Sequence, residues 1–230
     1  MSTTIPPEAP LALLRLLQWV SPSLPIGGFT YSQGLEWAVE AGWVDGEAAL
    51  GDWLADVLRH SITHVDLPTL ARLHRGWREH DDRALWHWTA WLHACRETAE
   101  LRLEERQRGR ALAALLVDLG MPRAAQWRQL LETSAVAGFA LAAVADGIPL
   151  RDAALGYAWV WLEGQIVAGV KLIPLGQTAG QRLQRRLASA IATAVDQALQ
   201  LPDEALGASL PALAIASSCH EAQYTRLFRS

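Results

Sequence analysis

Apolar residues recur along most of this chain at the three- and four-residue spacing of a helix face, and the two-residue alternation of a strand is nearly absent. Leu11–Val20 predicts a short apolar helix that stops at Ser21-Pro22. A second helix is expected from about Ser32 to Ala41, ending at Gly42. A third should follow Asp45, a suitable N-cap, with Glu47 well placed for the helix dipole. Within it Leu50, Trp53, Leu54, Val57 and Leu58 lie on one face. Another helix is expected after Asp66-Leu67-Pro68, and Leu85, Trp88, Leu92 and Cys95 then form a further stripe.

The next stretch, RETAELRLEERQRGRALAALLVDLG, is dense in charge of both signs. Arg96/Glu100 and Glu104/Arg108 stand at i, i+4, which predicts a solvated face laced by weak ion pairs, with a polar contact face as the alternative. Pro122 is expected to open a helix. Ser134, Gly138 and Ala142, four apart, would let another helix come close. That helix and a second, largely apolar one from about Arg151 to Ile173 read as a central antiparallel hairpin. Thr178-Ala179-Gly180-Gln181 has capping-box spacing, and Leu183, Leu187, Ile191, Ala194, Val195 and Ala198 form an apolar stripe beyond it. The pattern weakens from Pro202. The expected architecture is all-α, a single-domain helical bundle over residues 10–202, with a flexible N-terminus at 1–9 and a motif-bearing C-terminal tail at 203–230.

Composition narrows the classes. The chain has 230 residues, 51% hydrophobic and 19% charged, enough for a substantial core. A net charge of −4 gives no basic excess for nucleic acid. The two cysteines, Cys95 and Cys219, form no CxxC spacing, so a reducing cytoplasm is expected rather than a disulfide framework. MSTTIPPEAP does not read as a signal peptide, and no uncharged run reaches the roughly 18–20 residues of a membrane span. Eleven tryptophans against three Phe and three Tyr suggest a Trp-rich core with some contact anchors.

Catalytic fingerprints are missing: there is no GxxxxGK[ST], no GxGxxG, no HExxH and no GxSxG. Weak metal candidates are His60 with His64, which are i, i+4, and the adjacent Cys219-His220. Glu163 and Lys171 are ionisable residues within an apolar helix, so each must pair, snorkel or face a polar surface.

SPSLPIGGFTYSQGLEWAVEAGWV, from Ser21 to Val44, is a proline- and glycine-jointed elbow. Lacking a lysine and a preceding strand, it is a poor phosphate cradle. Together with RETAELRLEERQRGRALAALL, VKLIPLGQTAGQRL and the terminal HEAQYTRLFRS, it resembles the urease accessory protein F family. The four motifs come in the family's order and cover about Leu11 to Ser230.

The resemblance implies a helical, non-enzymatic urease chaperone without a cofactor of its own. It would form a homodimer, bind the accessory protein called D or H, and recruit the nickel-carrying GTPase called G to apo-urease. Catalytic regulation of that GTPase is the alternative; a direct nickel carrier is a third possibility. Carried over residue by residue, the resemblance implies partner-facing roles for Glu36, Lys171, Gln177, Gln181, Arg182, His220, Glu221, Tyr224 and Arg226. Phe29 and Tyr31 are expected to pin the elbow to the core or to a dimer seam, with Glu36 pointing outward.

Overall fold

In a computed structural model of the chain, which describes residues 9–230, the fold is all-α. The expected flexible N-terminus at 1–9 lies outside the described residues except for Ala9, where the first helix begins. That helix, α1 (Ala9–Trp19), buries Trp19, whose indole N–H donates to Asp146 at 2.6 Å. Its opposite face leaves Leu11, Leu13, Leu14 and Leu17 exposed.

The elbow then departs from the expected helix over Ser32–Ala41. A single 3₁₀ turn, Gly28–Thr30, is followed by extended Tyr31, and Gln33 and Gly34 are both left-handed (φ 54 and 83), so α2 (Leu35–Glu40) begins three residues late. A Cβ on Gly34 would lie 2.7 Å from the backbone nitrogen of Ser217, which cannot yield as a flexible side chain could. Gly34→Ala should therefore destabilise the protein by at least the roughly 1–2 kcal/mol of a left-handed L-residue. Chemical denaturation should show a lower midpoint with an unchanged slope.

α3 (Glu47–Val57) is preceded by Gly46, which stands where Asp45 was expected, and makes no side-chain cap bond. It does not stop before Pro68. It widens into π-helical turns over Leu58–Asp66 and continues as α4 (Leu67–Glu79). Proline has no N–H to offer the carbonyl four residues back. That carbonyl, His64 O, instead accepts from Gly207 N at 3.0 Å.

α5 (Asp82–Cys95) is capped by Asp81, and α6 (Ala99–Asp118) by Thr98. The expectation for Pro122 fails: Arg123 is left-handed (φ 67), and turns lead to the short α7 (Arg128–Leu131). Arg123 is held there by Trp77 and Trp127, with its guanidinium 4.8 and 5.7 Å from their rings. α8 (Ala135–Ala145), capped by Ser134, is buried along most of its length. Its small stripe works as expected: a Cβ on Gly138 would come 2.8 Å from Leu112, so α8 and α6 pack closely.

α9 (Leu150–Leu172) follows α8 in the chain, yet each packs chiefly on another helix: α8 on α4 and α6, α9 on α10 (Gln177–Ala198). The packed hairpin is thus α9 with α10 rather than α8 with α9. Gly176 precedes α10 and Thr178 lies inside its first turn, so no Thr–Gln capping box forms. A 3₁₀ turn at Asp203–Ala205 leads to α11 (Pro211–His220), which packs on α2 and α6.

Candidate protein-contact surface

The charged first half of α6 is an interior feature, contrary to the solvated face expected of it. Glu104 and Glu105 are each 4% exposed, and Glu100 is buried beside them. The expected Arg96/Glu100 pair does not form, because Arg96 turns inward from the α5–α6 joint. Its guanidinium makes a two-pronged contact with Asp66 (2.6 and 3.1 Å) and donates to Glu105 at 3.0 Å. Tyr157 adds its hydroxyl to Asp66 at 2.9 Å. Glu105 also accepts from the Ser134 hydroxyl and the Val136 N–H, which ties the start of α8 into the cluster.

Burial pushes Glu105 upward. The Arg96 and Arg108 guanidiniums and these hydrogen bonds more than offset it, so its carboxyl lies below the usual range. Glu104 goes the other way: burial raises it despite Arg108 at 3.0 Å and the Gln33 amide at 3.0 Å. Gln33 also accepts from the Trp161 indole, so this core fixes the elbow from below.

The elbow's upper side holds the C-terminal tail. Arg229 N donates to Thr30 O at 2.9 Å, and the Ser230 carbonyl accepts from Ser32 N, Ser32 Oγ and Gln33 N. Tyr31 is buried and donates to Gln107 of α6 at 2.7 Å, while Phe29 is half-buried. Tyr31 is therefore pinned to this chain's own core.

Two residues expected to face a partner face inward instead. Glu36 is buried, and its carboxylate accepts the N–H groups of Leu227 (2.6 Å) and Phe228 (2.9 Å). His220 is 0% exposed, with Nε2 3.2 Å from Glu36 and Nδ1 2.8 Å from Glu100. The ring thus lies between the two carboxylates. Arg226 reaches Glu100 at 3.1 Å from the rim. These residues latch residues 221–230 against α2 and α6 because buried carboxylates need donors, and the tail backbone and His220 supply them.

The latch leaves a displayed loop. Phe228 is buried, but Glu221, Arg226, Leu227 and Tyr224 are exposed, Tyr224 fully so at 103%. Lys171 lies alongside, its ammonium 5.8 Å from the Phe228 ring centroid. From Lys171 a groove of about 110 Å³ runs between α9 and α10, lined by Glu163, Val170, Gln177, Gln181 and Gln184 among others. Lys171, Gln177, Gln181 and Arg182 are all exposed; Arg182 is bound to Glu47 at 2.7 Å. Seven of the nine expected contact residues thus remain open on the tail loop and the α9–α10 edge.

His60 and His64 are each half-buried, and His64 Nδ1 lies 2.9 Å from the Arg59 carbonyl. His220 is committed to its two carboxylates and Cys219 is a free, half-buried thiol. Among the described residues no three His, Cys, Asp or Glu side chains are placed to hold a metal ion, and no helix is long and apolar enough to cross a membrane.

The buried Asp66–Arg96–Glu105 cluster and the Glu36–His220–Glu100 latch were not readable from local spacing, since their members lie far apart in sequence. The available signal was the glutamate density of α6 beside a helix with an apolar remainder.

Sequence comparison adds a separate line of information. The family model described as UreF matches residues 44–188. A urease accessory protein UreF of Pseudomonas putida (strain F1) is 56% identical over 220 residues, covering 96% of this chain and 98% of the relative. One from Alkalilimnicola ehrlichii is 51% identical over 234 residues, covering both chains completely. A third, from Chromohalobacter salexigens, is 53% identical over 96% of each.

Proposed function

This chain belongs to the UreF family of urease accessory proteins, and on that premise we propose that it acts in urease maturation as a helical adaptor. It pairs with a second copy, binds the D or H accessory protein, and through that complex recruits the nickel-carrying GTPase to apo-urease in the cytoplasm. Nickel is cargo of the assembly, held by the GTPase.

The observation that supports this reading is the latched tail. Buried hydrogen bonds to Glu36 fix the segment, yet it displays Tyr224 and Leu227, 103% and 65% exposed, while its Phe228 packs under Lys171 at the end of the glutamine-lined groove. Large exposed anchors on a pre-ordered backbone suit protein recognition, because little ordering entropy is lost on docking.

Lys171→Ala removes one exposed cation without opening the core. It should leave the helical signal unchanged and weaken capture of the GTPase by the complex of this chain with the D or H protein at least tenfold, measured by affinity pull-down and biolayer interferometry. Undiminished capture contradicts the assignment.

Catalytic regulation of the GTPase is the second reading. It is favoured by exposed Gln181 and Lys171 on one edge, either of which could meet developing phosphoryl charge. Arg182 is a poorer candidate, being tied to Glu47. GTP turnover that rises with this chain and falls for Gln181→Ala would support it; unchanged turnover removes it.

A further inference from the structure

The groove between α9 and α10 contains a carboxylate whose ionised form has no cation. Glu163 is half-buried on its wall and makes no ion pair or hydrogen bond among the described residues. Lys171, the cation on the same lining, is two turns further along the helix, about 12 Å at 1.5 Å per residue, and lies over Phe228 instead. Burial pushes the Glu163 carboxyl up, with nothing opposing it.

The rest of the lining is suited to one kind of visitor. Ile166, Val167 and Val170 give an apolar wall, and the amides of Gln177, Gln181 and Gln184 give paired donors and acceptors. Only a weak 3.5 Å contact links Gln181 to Gln184, so these amides have bonding capacity left. The groove's 110 Å³ is well below the roughly 300 Å³ at which small-molecule sites begin, so it suits one side-chain end rather than a nucleotide.

We propose that this groove receives an arginine side chain from the protein partner, with Glu163 as its ion-pairing carboxylate, the apolar wall along its methylene stem and the glutamine amides around its guanidinium. The inference rests on the adaptor reading for the partner, while the chemistry of the groove stands on its own lining. Lys171 at the far end sets the direction, since a partner segment with a basic residue over Glu163 would place an acidic one over Lys171.

Two measurements test this. In the first, N-acetylarginine amide and N-acetylcitrulline amide are titrated into the purified chain while the Glu163 side-chain carboxyl is followed by carbon NMR, assigned with Glu163→Gln. A saturable shift with the arginine compound alone is expected; no shift, or equal shifts with both, overturns the proposal. In the second, Glu163→Gln is compared with wild type for capture of the GTPase complex. The expected result is capture about tenfold weaker, with thermal stability equal to or above wild type because an unpaired, partly buried charge is gone. Equal capture by the variant overturns the proposal. If the wild type itself captures nothing, the adaptor reading fails, and the arginine titration still judges the groove.

Discussion

Arg96→Ala should be among the most damaging single changes in this protein, lowering stability by about 3–5 kcal/mol, the range for removing one partner of a buried ion pair. The guanidinium joins Asp66 at the end of the π-helical segment to Glu105 on α6, and both carboxylates lie in the interior. Its loss removes the cation that bridges them, beside the Tyr157 hydroxyl and the start of α8. For a chain of this size each kcal/mol moves the midpoint about 2–4 °C, so calorimetry should show a fall of roughly 6–20 °C.

The pH response should also change sign in the acid range. In the wild type Glu105 is held below its ordinary value of 4.5. Its stabilising contribution is therefore present above about pH 4.5 and lost as pH falls through its folded value. In Arg96→Ala the largest opposing cause is gone and burial dominates. The Glu105 carboxyl then rises above its unfolded value, and the variant should regain stability as pH is lowered from 7 toward 5. A variant whose stability does not rise relative to wild type over that interval would show that Arg96 does not neutralise this site.

The second large effect concerns the latch. Glu36→Ala removes the acceptor of two tail N–H groups and one of the two carboxylates facing His220. Each buried donor left unsatisfied costs about 1–3 kcal/mol, more than a short tail can recover elsewhere, so residues 221–230 should detach. Trypsin should then cut after Arg226 at least tenfold faster than in wild type, as read by intact mass, while the core helices keep their hydrogen-exchange protection. Glu36→Gln, which retains an acceptor, should fall between. Wild-type cleavage rates in Glu36→Ala would mean that the elbow's contacts with Ser230 hold the tail by themselves.

Much of the fold was legible because the helical period is strong. The stripe from Leu183 to Ala198 and the close approach at Gly138 both appear where spacing placed them. Boundaries failed where a local backbone choice overrode propensity. Left-handed Gln33 and Gly34 delay α2, left-handed Arg123 cancels the start expected at Pro122, and Pro68 is absorbed by π-helical turns instead of ending the helix. The exposure of the expected contact residues was legible in part. Lys171, Gln177, Gln181 and Tyr224 are exposed as contact residues must be, whereas Glu36 and His220 are interior. Sequence spacing reports neighbours on one helix, and a carboxylate buried against a tail some 190 residues away leaves no mark in it.

The elbow shows the same division. Its prolines and glycines read correctly as a shaped joint, and its upper side receives the chain's own tail. In the proposed adaptor the joint therefore acts on partners indirectly, by fixing the tail that displays Tyr224 and Leu227.

The most direct test of this account is the light-scattering mass of the complex formed by this chain, the D or H accessory protein and the nickel GTPase. Wild type is predicted to give one assembly containing all three proteins with two copies of this chain. Tyr224→Ala, whose side chain makes no buried contact, should fold normally and lose the D or H protein or the GTPase from that mass. A full three-protein assembly with Tyr224→Ala and Lys171→Ala together would contradict the assignment of this surface, and no assembly with wild type would contradict the adaptor itself.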